Sequence, residues 1–321
     1  MVNLNLVAAY LVFNFLMGLY SFNQVLSSLV EVLKIGDKKN QILLQVTSVA
    51  YSDKNYLYVI DSYAYKVKMF NDKGELLKEA GRRGKERGCF SRQPNLIAYY
   101  KNRLAITEFV SSKVHIFSEQ LEWLYTFTTA GIIFSISFDS NGNLWVGLID
   151  GEGKTSLVEY NLQGKQGKKI KPKNNLGKDF EFEDLFSVSI TKSGLIVIAH
   201  SSLNKIELWN TTGKFISDFG ISDLPLHTEK ILVDQTLFSR KYIPSGVIFA
   251  DIAIDNDENL YLLSGNYSKN PFRDLYVVNK DGESLRKLIF PEEMSKVYFT
   301  DKSELIAIQK RGTQIKLYRI K

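Results

Sequence analysis

The sequence predicts an all-β fold: a six-bladed β-propeller of four-stranded antiparallel blades, closed by a strand from the N-terminal side and preceded by a hydrophobic helix. Three observations predict it. A unit of short apolar runs separated by polar turns recurs six times between residue 46 and the C-terminus. The runs are rich in Val, Ile, Tyr and Phe and alternate with period two, which suits strands rather than helices. The last unit ends one run short, while an orphan run, "SSLVEVLKIG" (27–36), stands ahead of the first unit.

The N-terminal segment differs from the rest. "MVNLNLVAAYLVFNFLMGLYSFNQ" is apolar from Leu4 to Tyr20, and no Lys or Arg precedes Lys34. Such a run is long for the core of a signal peptide and near the lower limit for a spanning helix. Residues 1–24 are therefore expected to act as a signal peptide or a membrane anchor, and residues 27–321 as the propeller. This implies export to a periplasm, cell envelope or exterior, with residues 4–20 as the anchor if they are retained. The orphan run 27–36 resembles the outer strands "LLKEAG" and "KFISDFG". It fits the vacancy in the last unit and so predicts ring closure.

The first runs are "VTSVAYSD", "PNLIAYYK", "IFSISFDS", "LFSVSITK", "FADIAIDN" and "MSKVYFTD". Aligned on Val49, Ile97, Ile136, Val188, Ile252 and Val297, they are separated by 48, 39, 52, 64 and 45 residues. Second runs such as "YLYVID" and "NLYLLS" follow, then third runs such as "KVKMFN" and "KIELWN", with turn signals "DKGE", "SNGN", "TTGK" and "KDGE" between runs. Four short strands every ~40–50 residues are the pattern of a propeller blade. A single blade leaves its apolar faces bare, and a ring of blades covers them.

Composition narrows the function classes. The chain has 321 residues, 45% of them hydrophobic, and a net charge of +6. That charge fits a general affinity for anionic surfaces without requiring nucleic acid. Cys89 is the only cysteine, which excludes intrachain disulfides and Cys-x-x-Cys zinc sites.

The stretch "AGRRGKERGCFSRQPNLIA" (80–98) carries Arg82, Arg83, Lys85, Arg87 and Arg92 among three glycines. It lacks Gly-Lys-Ser/Thr and precedes a strand rather than a helix, so it reads as an inter-blade connector, not a phosphate loop. Gly81, Gly84, Gly88, Phe90 and Pro94, within residues 72–117, resemble the NHL-repeat family of six-bladed propellers. In architecture the likeness extends over residues 27–321. The family's usual Asp at the end of the second strand is met by Asp61, but Glu108, Leu148, Ala199, Ser264 and Gln309 stand in the other units. The resemblance implies a binding propeller. Some relatives bind RNA on a basic face, and related architectures include lyases and hydrolases with a metal in the central channel.

Three insertions interrupt the repeat: "KPKNNLGKDFEFEDLF" (171–186), "ISDLPLHTEKILVDQTLFSRKYIPSG" (221–246) and "GNYSKNPFRD" (265–274). All three are expected on one face, where loops over a rigid scaffold commonly bind. Phe180, Phe182, Phe238, Arg240, Tyr242, Tyr267, Phe272 and Arg273 are the candidate binding residues. His115, His200 and His227 fall at positions that look unrelated in the repeat. Asp61, Glu108 and His200 are the candidate catalytic set, should they meet at the channel mouth.

The primary expectation is thus a non-catalytic binding module. A propeller lyase or hydrolase with a divalent metal is the alternative, and an RNA-binding propeller is the third reading. No cofactor or bound metal is expected in the primary reading. The expected partner is a protein or a small extracellular ligand; nucleic acid is disfavoured. A membrane is met only through the N-terminal anchor, and the expected state is a monomer.

Overall fold

The structure is a computed structural model, and it describes residues 28–36, 42–173, 176, 183–235, 240–265 and 271–321. The hydrophobic N-terminal segment lies outside the described residues. The described residues form six four-stranded antiparallel sheets and a separate two-stranded ribbon.

Blade one is β2 (Val46–Tyr51), β3 (Leu57–Asp61), β4 (Lys66–Phe70) and β5 (Leu76–Ala80). Blade two is β6 (Pro94–Tyr100), β7 (Arg103–Glu108), β8 (Lys113–Ser118) and β9 (Trp123–Thr128). Blade three is β10 (Ile132–Phe138), β11 (Leu144–Ile149), β12 (Thr155–Tyr160) and β13 (Gln166–Ile170). Blade four is β14 (Phe186–Ile190), β15 (Leu195–His200), β16 (Ile206–Asn210) and β17 (Phe215–Phe219). The ribbon is β18 (Lys230–Gln235) and β19 (Arg240–Pro244). Blade five is β20 (Phe249–Ile254), β21 (Leu260–Ser264), β22 (Asp274–Val278) and β23 (Ser284–Ile289). Blade six is β24 (Met294–Phe299), β25 (Leu305–Gln309) and β26 (Ile315–Ile320), completed by β1 (Leu29–Ile35).

The predicted closure is present. β1 pairs antiparallel with β26, Leu29 opposite Ile320 and Ile35 opposite Ile315. The ladder gives the open edge of β26 its missing partner, which an exposed edge strand otherwise lacks.

Six hydrophobic clusters occupy the six interfaces between neighbouring blades. Every sheet therefore buries both faces, which explains why second strands such as β3 and β21 are buried at every residue. The outermost strands β5 and β13 are mainly exposed, since one edge and much of their surface meet water. Tight turns repeat as well. Asp139, Thr191, Asp255 and Thr300 close first-to-second turns, and Asn71, Asn161, Asn210 and Asn279 close third-to-fourth turns. In each, a side-chain oxygen accepts the N–H four residues on, the local bonding that favours these residue types in turns.

Strand alternation gives the ring two faces. The turns just described form a turn face. The second-to-third loops and the inter-blade connectors leave the strands at the opposite end, the loop face.

Candidate functional site

The polar groups that suggested chemistry are built into a repeated brace between strands. The last residue of each second strand pairs with the first residue of the innermost strand: Val46 with Asp61, Pro94 with Glu108, Ile132 with Ile149, Phe186 with His200, Phe249 with Ser264 and Met294 with Gln309. The repeat position in blades three and four is thus Ile149 and His200, one residue beyond Leu148 and Ala199. Seven residues further on, four of the third strands return a polar partner: Lys68, His115, Glu207 and Lys316. Such a diagonal pair lies on one sheet face within reach of long side chains. His115 and His200, which look unrelated in the sequence, are the two halves of this same brace.

Each brace also holds the connector that arrives from the preceding blade. Asp61 accepts the N–H groups of Leu44 at 3.1 Å and Gln45 at 2.9 Å, and it pairs with Lys68 at 2.7 Å. Glu108 accepts the N–H groups of Ser91 at 2.9 Å and Arg92 at 3.1 Å, the Ser91 hydroxyl at 2.6 Å, and contacts His115 Nε2 at 3.0 Å. Glu207 takes the N–H of Lys173 at 2.8 Å and meets His200 Nε2 at 3.2 Å and Lys205 at 2.9 Å. In blade six the carboxylate comes from the connector itself: Glu292 binds Gln309 at 2.5 Å and also pairs with Lys316.

These environments fix protonation. Burial alone raises the pKa of Glu108, but hydrogen bonds from His115 and Ser91 outweigh it and hold the carboxyl at about 2. Glu207 is also buried, and bonds from His200 and Lys205 bring it to about 2. A carboxylate held that low is a poor base near neutrality. Asp184 shows the opposite balance: burial dominates and its pKa is raised, although it accepts the N–H groups of Ser202 at 2.8 Å and Leu203 at 3.2 Å. His200 sits between Glu207 and Asp184, with Nδ1 3.9 Å from the Asp184 carboxylate. Asp61, Glu108 and His200 each serve their own blade. Among the described residues no three His, Cys, Asp or Glu side chains gather closely enough to hold a metal.

The central channel holds a cavity of about 270 Å³, lined by the innermost strands of all six blades and reaching the turn face at Lys192, Asn256 and Asp301. Its polar residues stitch neighbouring blades. Ser48 accepts Ile97 N–H at 3.2 Å, Ser135 accepts Val188 N–H at 3.0 Å, and Asp251 accepts Val297 N–H at 3.0 Å.

The basic connector is a folded plug. Phe90 is fully buried between blades one and two, and its ring lies against Gly81, whose φ of +91° suits glycine. The N–H groups of Gly84, Cys89, Phe90, Ser91 and Arg92 all have partners inside the protein, so these five are not free to hold a phosphate. The arginines of this connector do not share one surface. Arg83 lies over Tyr65 on the loop face, but Arg87 lies over Trp123 of the outermost strand β9, because the loop descends along the wall.

Of the predicted binding residues, Phe180, Phe182, Phe238, Tyr267 and the Arg240 side chain lie outside the described residues. Tyr242 is on β19 opposite Leu232, with Lys230 over its ring at 5.7 Å. Phe272 is half-buried beneath Lys310 of blade six at 5.0 Å, and Arg273 donates to the Phe290 carbonyl at 2.7 Å, so both brace blade five to blade six. The insertion at 221–246 is fastened to the second-to-third loop of blade four. Asn204 donates its N–H to Leu226, Thr228 donates to Ser202, and Asn204 caps Ile221 and Leu224. Above this base the ribbon exposes Ile231, Leu232 and Val233, and Leu226 is 80% exposed. These aliphatics went unnoticed among the aromatic candidates, although "KILV" at 230–233 is a strand signal in the sequence.

The chain matches no family model and no curated protein sequence. Solved structures do resemble it. A streptogramin B lyase aligns with a TM-score of 0.59 at 11% identity, covering 92% of this chain and 98% of that one. A virginiamycin B lyase from Staphylococcus aureus aligns at 0.57 and 10% identity, covering 91% and 99%. The WD40 repeats of RRP9 align at 0.57 and 10% identity, covering 91% and 98%. At such identities the likeness establishes the propeller fold.

Proposed function

We propose that this chain is an NHL-like propeller, exported or membrane-tethered, that works as a non-catalytic binding module through its loop face. The observation that carries this reading is the division of labour between polar and apolar groups. The buried carboxylates and histidines hold connectors in place, whereas the insertion before blade five lifts exposed aliphatic side chains clear of the scaffold. Exposed apolar clusters on a rigid frame are a common basis for protein recognition. WD40 propellers among the structural neighbours are consistent with a protein partner.

The path of β1 supports a tether compatible with this role. Leu29 lies at the turn-face end of the ladder and Ile35 at the loop-face end. The span from Tyr20 to Leu29 reaches at most about 30 Å even if extended. An anchor at residues 4–20 then holds the turn face toward the membrane and leaves the insertions pointing away.

A photo-cross-linking side chain at Leu232, compared with one at the exposed outer-wall residue Leu77, tests the proposal in the native compartment. A discrete adduct at Leu232 and none at Leu77 is expected. Loss of thermal stability on chelation, reversed by a divalent metal, would instead favour a propeller lyase or hydrolase.

A further inference from the structure

The central channel has a chemistry that blade packing does not use up. Its cavity of about 270 Å³ lies just below the roughly 300–1,000 Å³ of drug-sized sites, so it suits one small ring rather than a polymer. The width follows from the sequence. In blades two to five, Ala98, Ser137, Ser189 and Ala253 occupy one register of the innermost strands, directly after the aligned Ile97, Ile136, Val188 and Ile252. These four small side chains line the cavity and leave space that larger ones would fill.

Hydrogen-bond donors along this wall are left over. Ser48, Ser135 and Asp251, in blades one, three and five, cap the inward N–H groups of Ile97, Val188 and Val297 in the blades that follow. Val49 and Ile136 hold the same register as Ile97 against their second strands, so their N–H groups also point inward. At the capping position before them stand Lys296 and Leu96, and neither side chain can accept a bond. Ser137 and Ser189 are half-buried, line the cavity and have no hydrogen-bond partner among the described residues.

Charge in the channel is balanced. Lys296 meets Asp251 at 3.2 Å. At the mouth, Lys192 donates to Asn256 at 2.9 Å and lies 4.0 Å from Asp301, while Asp255 accepts bonds from Asp257, Asn259 and Tyr261. An ion of either sign would find its counter-charge already engaged.

We infer that the central channel binds an uncharged polyhydroxylated small molecule, a single sugar ring or a cyclic polyol, with hydroxyls on Ser137, Ser189 and the uncapped N–H groups and a C–H face against Leu96 and Ala98. Such a molecule carries hydroxyls that accept and donate around its edge and an apolar face across its ring. It meets the leftover donors without needing a countercharge, whereas an apolar ring would leave them unpaired at a cost. The site is separate from the loop face and does not depend on its role.

Isothermal titration calorimetry on the full chain tests this with glucose, galactose, N-acetylglucosamine and myo-inositol. Controls are cyclohexanol, a ring with a single hydroxyl, and glucuronate and glucosamine, which each add a charge. At least one of the four uncharged polyols is expected to bind, and more tightly than any control. Ser137→Ala and Ser189→Ala should each weaken it about fivefold, and Ala98→Leu should abolish it by filling the channel. Leu232→Ser on the ribbon should leave it unchanged. The inference is overturned if none of the four binds, if a control binds as tightly, or if the folded channel variants bind like the parent. Sensitivity to Leu232→Ser also overturns it, because the sugar then sits on the loop face. If Ala98→Leu fails to fold, the two serine variants, each removing one oxygen, keep the test decisive.

Discussion

Replacing Glu207 by Gln probes the brace most directly. The carboxyl is fully buried and accepts bonds from Lys173, His200, Lys205 and Trp209. Its pKa lies at about 2, against an ordinary value of 4.5. At 1.36 kcal/mol per pKa unit this corresponds to about 3 kcal/mol of preference for the ionised group in the folded state. The sign follows from the direction of the shift. A depressed folded pKa contributes stability above the unfolded pKa, and that stability is lost as pH falls from about 4.5 through about 2. The amide still accepts one N–H, but it cannot pair with Lys205, and breaking a buried charge network costs a similar amount. Urea unfolding of parent and Glu207→Gln across pH should show a gap of about 3 kcal/mol at neutrality, shrinking to less than about 1 kcal/mol near pH 2. Asp184 titrates with the opposite sign: its raised pKa gives stability below its unfolded pKa that is lost as pH rises. Both carboxyls face His200, so repeating the comparison in an Asp184→Asn background separates its contribution from that of Glu207. A gap that stays constant down to pH 2 would refute the assignment of Glu207 as an ionised brace.

Two further substitutions test closure and connector. Ile35 is buried in the cluster between blades six and one, whereas Val32 on the same strand is exposed. Ile35→Ala should cost about 3 kcal/mol and Val32→Ala less than about 1 kcal/mol by chemical denaturation; equal costs would mean that β1 does not seal the ring. In the connector, a Cβ on Gly81 would stand 2.5 Å from the Phe90 ring and 2.9 Å from the Tyr65 carbonyl at φ +91°, while one on Gly84 meets mainly the mobile end of Glu86. Gly81→Ala should therefore lower stability by about 2 kcal/mol or more and Gly84→Ala by much less, and the reverse order in thermal melts would contradict the plug geometry.

The blades were legible because burial of both sheet faces writes itself into the strands. Runs such as "LYVID" and "LIAIQ" carry apolar residues that neighbouring blades cover, and the polar turns between them carry Asp or Asn where a side chain must bond the backbone. Closure was legible for a related reason: β1 repeats the pattern of an outer strand, and the last unit lacks one. The brace was harder to read. Its spacing of seven is constant, but its chemistry is not. Asp61 faces Lys68 and Glu108 faces His115, while in blade four the histidine comes first and Glu207 second. The physical requirement is a hydrogen-bonded polar pair that can grip a passing connector, and several residue combinations meet it. A search for one residue type at one position therefore scatters the histidines and shifts the alignment by a residue at Leu148 and Ala199. The direction of the basic connector was hidden too, because it depends on where Phe90 finds cover. Burying that ring between the blades pulls Arg87 down to Trp123 and leaves Arg92 beside Lys113, so the arginines that look like one patch in the sequence serve different surfaces.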